Sequence, residues 1–243
     1  MALAGETRQQ LAPTGTLRVG LNYQNFLLVL KDAADGTPTG IAPDLARELA
    51  KRAGLAVEFV RFDAAGKLAD AVKSGAWDVA FLGAEPQRAS EIAFSAAYLE
   101  IPVTFLVPAG SAIKSIREID AAGVRVAVSE KSAYDLYLSR SLKHARLVRT
   151  QGIDASFRMF VEQKLEALGG LKPRLVSDSE ALPGSRILEG QITAVQQSIG
   201  VPKGRDEAAK FVRDFADEVK ASGLVARTIE KHKVRGVTVA PPG

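Results

Sequence analysis

The sequence predicts an α/β fold, with mostly parallel sheets flanked by helices. Three observations carry this. Short strand-like apolar runs alternate with helix-like segments, the succession that builds βαβ units. One run, Asp78-Val79-Ala80-Phe81-Leu82, is almost wholly apolar, as a strand covered on both faces must be. The composition suits helices packed on buried strands: 47% of the 243 residues are hydrophobic, 6% are aromatic and 25% are charged. A core of that size fits one large domain or two small lobes.

The elements follow in order. Leu17-Arg18-Val19-Gly20-Leu21 reads as a strand, and Gly36-Thr37-Pro38-Thr39-Gly40 as a turn. Asp44 is a candidate N-cap for a helix with Leu45 and Leu49 on one face, stopped by Gly54. Val57-Glu58-Phe59-Val60 is the next strand. A helix through Leu68, Ala71 and Val72 ends near Gly75, and the apolar run at 78–82 follows. The same alternation restarts after residue 110. Val124 to Val128 and Leu147 to Arg149 read as strands, and Ser132 can cap a helix carrying Leu136 and Arg140. Further helices are expected over 153–164 and 206–222, the latter with Phe211, Phe215 and Val219 on one face.

Two extended segments look like crossings between lobes: Ile101-Pro102-Val103-Thr104-Phe105-Leu106-Val107, and Ala194-Val195-Gln196-Gln197-Ser198-Ile199-Gly200. On pattern alone, a pair of lobes and a single continuous sheet both fit.

Composition excludes several classes. The net charge of +4 is mild and scattered, so no nucleic-acid partner is expected. The densest basic run, Lys231-His232-Lys233-Val234-Arg235, reads as a solvated helix end complementing the helix dipole. With no cysteine there is no disulfide, thiol nucleophile or thiolate metal site. No apolar stretch is long enough to span a membrane, and no signal peptide is visible at the N-terminus. No phosphate-binding glycine loop and no His/carboxylate metal spacing occurs, so no cofactor and no metal are expected.

Four quoted stretches in fixed order carry a resemblance: Leu17-Arg18-Val19-Gly20, Thr39-Gly40-Ile41-Ala42-Pro43-Asp44-Leu45-Ala46, Ser74-Gly75-Ala76-Trp77-Asp78-Val79-Ala80, and Arg88 through Phe94-Ser95-Ala96-Ala97-Tyr98. Together they resemble family 3 bacterial solute-binding proteins, the amino-acid-binding branch of the periplasmic type II binding fold. The resemblance runs from about residue 16 to residue 235 and selects the two-lobe reading. It implies an N-terminal tail over 1–15, a first lobe from 16–103 and 195–243, and a second lobe over 104–194. It also implies a monomer that closes on a small carboxylate or amino-acid-like ligand, passes it to the membrane permease of an ABC transporter, and works in the periplasm.

Site residues follow from the resemblance. Arg88, read alone as a surface arginine paired with Glu85 or Glu91, matches the arginine that grips the ligand carboxylate. A guanidinium suits that task through paired charge-assisted hydrogen bonds. Ser132 matches a hydroxyl position at a helix N-terminus, a natural anion site. Lys131 stands where the family often has glycine and Ala133 where it often has threonine. Asn22, Tyr23 and Phe26 form the loop after the first strand, and Gly83 and Ala84 belong to the loop before Arg88. Gln197 lies on the second crossing.

Two departures bear on the ligand. The stretch from Asp78 to Arg88 is about two residues shorter than usual. Where the family commonly places an acid for the ligand's amino group, this chain has Leu168-Gly169-Gly170-Leu171-Lys172-Pro173, with no carboxylate and with Lys172 close by. A buried ammonium without an acceptor is costly, so a carboxylate lacking the amine is expected. Two other classes stand beside the receptor reading. One is a dehydratase-like enzyme, for which Glu85, Glu100 or Glu130 would have to serve as acid or base. The other is a sensor that signals to a partner without a transporter.

Overall fold

A computed structural model describes residues 4–30 and 32–242. The chain divides into two compact units, one running up to Glu100 and resuming at Gln196, the other comprising Ile101–Val195. The first unit contains α1 (Gly5–Leu11), β1 (Thr16–Asn22), α2 (Ile41–Ala53), β2 (Ala56–Phe62), α3 (Ala65–Asp70), β3 (Val79–Gly83) and β4 (Ile92–Phe94). β5 (Leu99–Val107) leads into the second unit, which holds β6 (Arg125–Ser129), α4 (Ala133–Ser141), β7 (Arg146–Thr150), α5 (Ile153–Glu162), β8 (Ala167–Leu171), α6 (Lys172–Glu180) and β9 (Arg186–Ile187). β10 (Thr193–Pro202) returns the chain to the first unit, where α7 (Asp206–Ala221), α8 (Leu224–Lys231) and β11 (Thr238–Val239) complete it. The strands expected at 101–107 and 194–200 are thus β5 and β10.

In the first unit β1 lies between β2 and β3, and both pairings are parallel. β10 adds antiparallel to β3, and β4 antiparallel to β10. Every residue of β3 is buried, which explains its unbroken apolar sequence. Beneath it Leu68, Trp77, Ala80, Leu82 and Ile92 form a core cluster, and the indole Nε1 of Trp77 donates to the Leu68 carbonyl at 2.9 Å. Gly20 makes room for this cluster: a Cβ there would stand 2.6 Å from Leu68 and 3.1 Å from Trp77.

Helix α2 begins earlier than the sequence suggests. Its N-cap is Gly40, with φ 129°, and a Cβ at that position would meet the Leu28 carbonyl oxygen at 2.5 Å. Only glycine fits there. Pro43 sits in the first turn, where its missing N–H is harmless. Gly54 ends the helix in the left-handed conformation, as expected. Asp44 is therefore not the cap. It lies inside the helix and accepts from Lys231 Nζ at 2.7 Å and His232 Nε2 at 2.8 Å. Burial pushes the Asp44 carboxyl up, and those two bonds outweigh it, so the group sits below its ordinary range. The basic run after α8 is thus partly a docking contact, and not a freely solvated helix end.

The N-terminal segment also differs from expectation. Residues 1–15 read as a tail, yet they contain α1, with Thr7 and Leu11 buried. The helix packs against α7. Gln10 accepts from the Glu207 and Ala208 amides through its side chain and from Arg205 through its carbonyl, so it caps the start of α7 from outside. Seven residues cannot hold a helix alone. These tertiary bonds do.

The second unit repeats the plan. β8, β6 and β7 are neighbours in that order and parallel, and β5 pairs antiparallel with β8. Leu106, Ala127, Phe160, Leu165, Leu168 and Leu175 make its core. The stretch 168–173, expected to face a ligand, is mostly the buried strand β8. Its two glycines are there for close packing: a Cβ on Gly169 would stand 3.3 Å from Leu138 and Val128, and one on Gly170 3.2 Å from Leu175.

Candidate functional site

An open parallel sheet offers its crevice at the carboxyl ends of two adjacent strands whose connections leave in opposite directions. In the first unit the chain passes from β1 to β2 on one side and then to β3 on the other. The switch point therefore lies where β1 ends at Asn22 and β3 at Gly83. In the second unit the chain runs from β6 to β7 and then back past β6 to β8. Its switch point lies at Ser129 and Leu171. The predicted residues Asn22, Gly83, Lys131, Ser132 and Lys172 all sit in or next to these ends.

At the first switch point Asn22, Asn25, Phe81, Leu82, Gly83 and Gln197 line a cavity of about 30 Å³. Asn22, Gly83 and Gln197, expected from three separate segments, are thus brought together. β10 places Gln197 opposite Gly83, and the Gln197 carbonyl accepts from the Tyr98 amide at 2.8 Å. Asn22 Oδ1 accepts from the Gln24 amide at 3.1 Å, which bends the chain off the end of β1. Ala84 donates its amide to the Gln196 carbonyl at 2.8 Å.

Tyr23 and Phe26 are not in this cavity. They line an open recess of about 730 Å³ with Asp32, Thr39 and Arg61. The Arg61 guanidinium lies 4.0 Å over the Tyr23 ring. The polar residue of this loop that reaches the cavity, beside Leu28 and Val29, is Asn25, which sequence reasoning passed over. Its only trace in the sequence is an amide set directly before five apolar residues, Phe26 to Leu30.

Arg88 opens a short 3₁₀ turn and is buried, with 7% of its surface exposed. Its Nη1 donates to the Gly83 carbonyl at 2.6 Å, so it braces the loop that ends β3. Burial lowers the guanidinium pKa to about 10, against the opposing fields of Glu85 and Asp70, and it remains charged at neutral pH. The surface-arginine alternative does not describe this side chain.

In the second unit two helices start at the same sheet edge. β6 runs through Glu130-Lys131-Ser132 into α4, and β8 runs directly into α6 at Lys172. Helix N-termini carry partial positive charge and unsatisfied amides. Ser132 caps α4: its Oγ accepts from the Asp135 amide at 3.1 Å. Asp135 in turn accepts from the Lys131 amide at 2.7 Å, a variant of the capping box. Ala133 and Tyr134 occupy the first turn. Burial pushes the Tyr134 phenol up to about 12, with hydrogen bonds to Ser132 and Ser129 acting the other way. In α6 the buried Asp178 is held by Arg174 at 2.8 Å. Among the described residues no cluster of three His, Asp or Glu could hold a metal.

Lys131 has φ 55°, the left-handed region. This explains in physical terms why a glycine suits the position. Lys131→Gly should therefore stabilise the protein by about 0.5–1 kcal/mol, the relief of strain exceeding the extra unfolded-state entropy. Urea denaturation checks this, and a loss of stability would mean that the lysine side chain contributes more than its backbone strain removes.

The model for bacterial extracellular solute-binding proteins, family 3, matches residues 17–234. The chain belongs to that family. Solved structures agree on the fold. The solute receptor for L-cysteine of Neisseria gonorrhoeae superposes with a TM-score of 0.79 at 20% identity, covering 96% of each chain. A mutant of ArgBP from T. maritima gives 0.77 at 22% identity, covering 93% of this chain and 98% of its own. An ancestral amino acid-binding protein, a precursor of cyclohexadienyl dehydratase, gives 0.75 at 24% identity, again over 93% and 98%. No curated protein matches the chain by sequence. The mixed sheets flanked by helices are the family's architecture.

Proposed function

We propose that this family 3 protein is a receptor that captures a small carboxylate-bearing solute in the periplasm for uptake through an ABC-type permease, without transforming it. The observation that carries the reading is the pair of helix N-termini, of α4 and α6, at one sheet edge of the second unit. Two positive helix ends with Lys131 and Lys172 beside them suit an anionic group. Arg88 is the residue the family resemblance assigns to the carboxylate, and its charge persists at working pH.

The second part of the proposal is that the ligand lacks an α-ammonium. At the end of β8 the chain offers Leu171 and Lys172 and no carboxylate; the one buried carboxylate of α6, Asp178, has Oδ1 tied to Arg174 while its Oδ2 has no hydrogen-bond partner. A thermal-shift series pairing L-amino acids with their 2-oxo, 2-hydroxy and des-amino counterparts tests this. A ligand at a hundredfold excess over Kd stabilises by about 2.7 kcal/mol, or roughly 5–11 °C for a chain of this size. Stabilisation is expected from the acids. A shift with an L-amino acid and none with its des-amino analogue would overturn the proposal, and turnover of a cyclic carboxylate in the same solutions would make the protein an enzyme.

A further inference from the structure

Asn25 stands out in the cavity at the ends of β1 and β3. The residue is 7% exposed, and its Oδ1 is buried with no hydrogen-bond partner. Its backbone is fully used, the carbonyl accepting from the Leu28 and Val29 amides and the amide donating to the Asn22 carbonyl. That fixes the side chain's origin. A buried amide acceptor left unmade is destabilising in the free protein, and such atoms mark places where a ligand or water completes the bonding. The cavity, at about 30 Å³, holds a water or one small polar group.

The rest of the lining narrows the choice of group. Asn22, Asn25 and Gln197 are its amide-bearing residues, the rest of the wall is apolar apart from Gly83, with Leu28, Val29, Phe81 and Leu82 its larger side chains, and no Asp, Glu, Lys or Arg lines the cavity. A charged terminus would find no counter-charge there, and a methyl would leave the Asn25 oxygen unsatisfied. A neutral donor satisfies it.

Resting on the receptor reading above, we infer that this cavity takes a neutral hydrogen-bond-donating group of the ligand, a hydroxyl or carboxamide, and that Asn25 Oδ1 selects it. The solute is then a small carboxylate carrying a second, uncharged polar end.

Two measurements on the full chain test this. The first needs no ligand. Asn25→Leu removes the unmatched acceptor and keeps the branched shape, its larger methyl groups having the adjacent cavity to fill, so the free protein's Tm should rise by about 2–4 °C. A Tm below wild type would show that the amide is already satisfied in the free protein and would overturn the inference. The second uses a defined panel of five-carbon acids differing at the far end: 5-hydroxypentanoate, glutaramate, pentanoate, glutarate and 5-aminopentanoate. The hydroxyl or carboxamide acid should bind best, and Asn25→Leu and the smaller Asn25→Ala should each weaken it about ten- to hundredfold while leaving pentanoate unchanged. Preference for pentanoate, glutarate or 5-aminopentanoate would overturn the inference while leaving a carboxylate receptor intact. Binding of none of the five, with stabilisation by a solute that has no carboxylate, would remove the carboxylate reading on which this inference rests.

Discussion

Replacing Asp78 by alanine should destabilise the first unit by about 3 kcal/mol, the lower end of the range for breaking a buried ion pair. Asp78 is fully buried just before β3, and both of its oxygens are engaged. Oδ2 accepts from the backbone amide and Nε of Arg18 at 3.2 and 2.9 Å. Oδ1 accepts from Arg18 Nη2 at 2.8 Å and from Arg205 Nη1 at 3.1 Å. One carboxylate thus ties β1, the start of β3 and the entry to α7. Through Arg205, which also donates to the Gln10 carbonyl, it reaches α1. Alanine would leave two guanidinium groups without their counter-charge. Each arginine side chain is 24% exposed, so water recovers part of the loss, which places the figure at the low end. The Arg18 guanidinium is held above its ordinary pKa chiefly by its hydrogen bond to Asp78, against burial; without the carboxylate that support is lost, yet a guanidinium's intrinsic basicity keeps it charged at neutral pH. The chain has one tryptophan, Trp77, buried beside Asp78, so its fluorescence reports this unit. Urea titration followed at Trp77 should show the midpoint fall. A loss under about 1 kcal/mol, the size of an exposed pair, would show that the cluster is solvated and not structural.

Much of this architecture is written in local signals. The buried strand at 78–82 announces itself because a strand covered on both faces tolerates few polar residues. Gly54 and Gly75 mark helix ends because both adopt the left-handed conformation. Ser132 reads as a cap and is one. What escaped the sequence depends on distant partners. Helix α1 is too short to declare itself, and Gln10 makes sense only once α7 is beside it. β8 hides because Gly169 and Gly170 are poor strand formers, chosen by the side chains that press on them. Asp44 has the chemistry of a cap, yet the steric demand at Gly40 starts the helix earlier and sends Asp44 to Lys231 and His232. The site shows the same division. The positions of Ser132 and Gly83 follow from strand ends, whereas Asn25 lines the cavity in place of Tyr23 and Phe26 only because of how the loop after β1 folds.

Arg88 is expected to contribute most to ligand affinity. Truncating one side of a buried charged contact costs about 2–5 kcal/mol of binding, roughly 30- to several-thousand-fold in Kd. From sequence alone Arg88→Ala should leave the fold intact. The structure adds a qualification, because Arg88 is buried and holds the Gly83 carbonyl at 2.6 Å. Alanine would leave that oxygen without its donor and open a space, so lost affinity and lost stability would be mixed. Arg88→Met separates them. Methionine fills most of the same volume and removes the charge with its desolvation burden, which offsets part of the donor lost to the Gly83 carbonyl, so stability should fall by only about 1–2 kcal/mol while affinity for the carboxylate falls much further. The pH dependence gives an independent check. Burial lowers the Arg88 pKa to about 10, so the charged form is the one present through neutral pH. Carboxylate affinity should be level from about pH 6 to 8.5 and fall as pH rises toward 10, where the guanidinium loses its proton. Isothermal calorimetry on folded Arg88→Met decides the matter. Unchanged affinity would mean that Arg88 only braces Gly83 and does not hold the carboxylate; a wild-type profile level through pH 10.5 would mean that the guanidinium keeps its proton there.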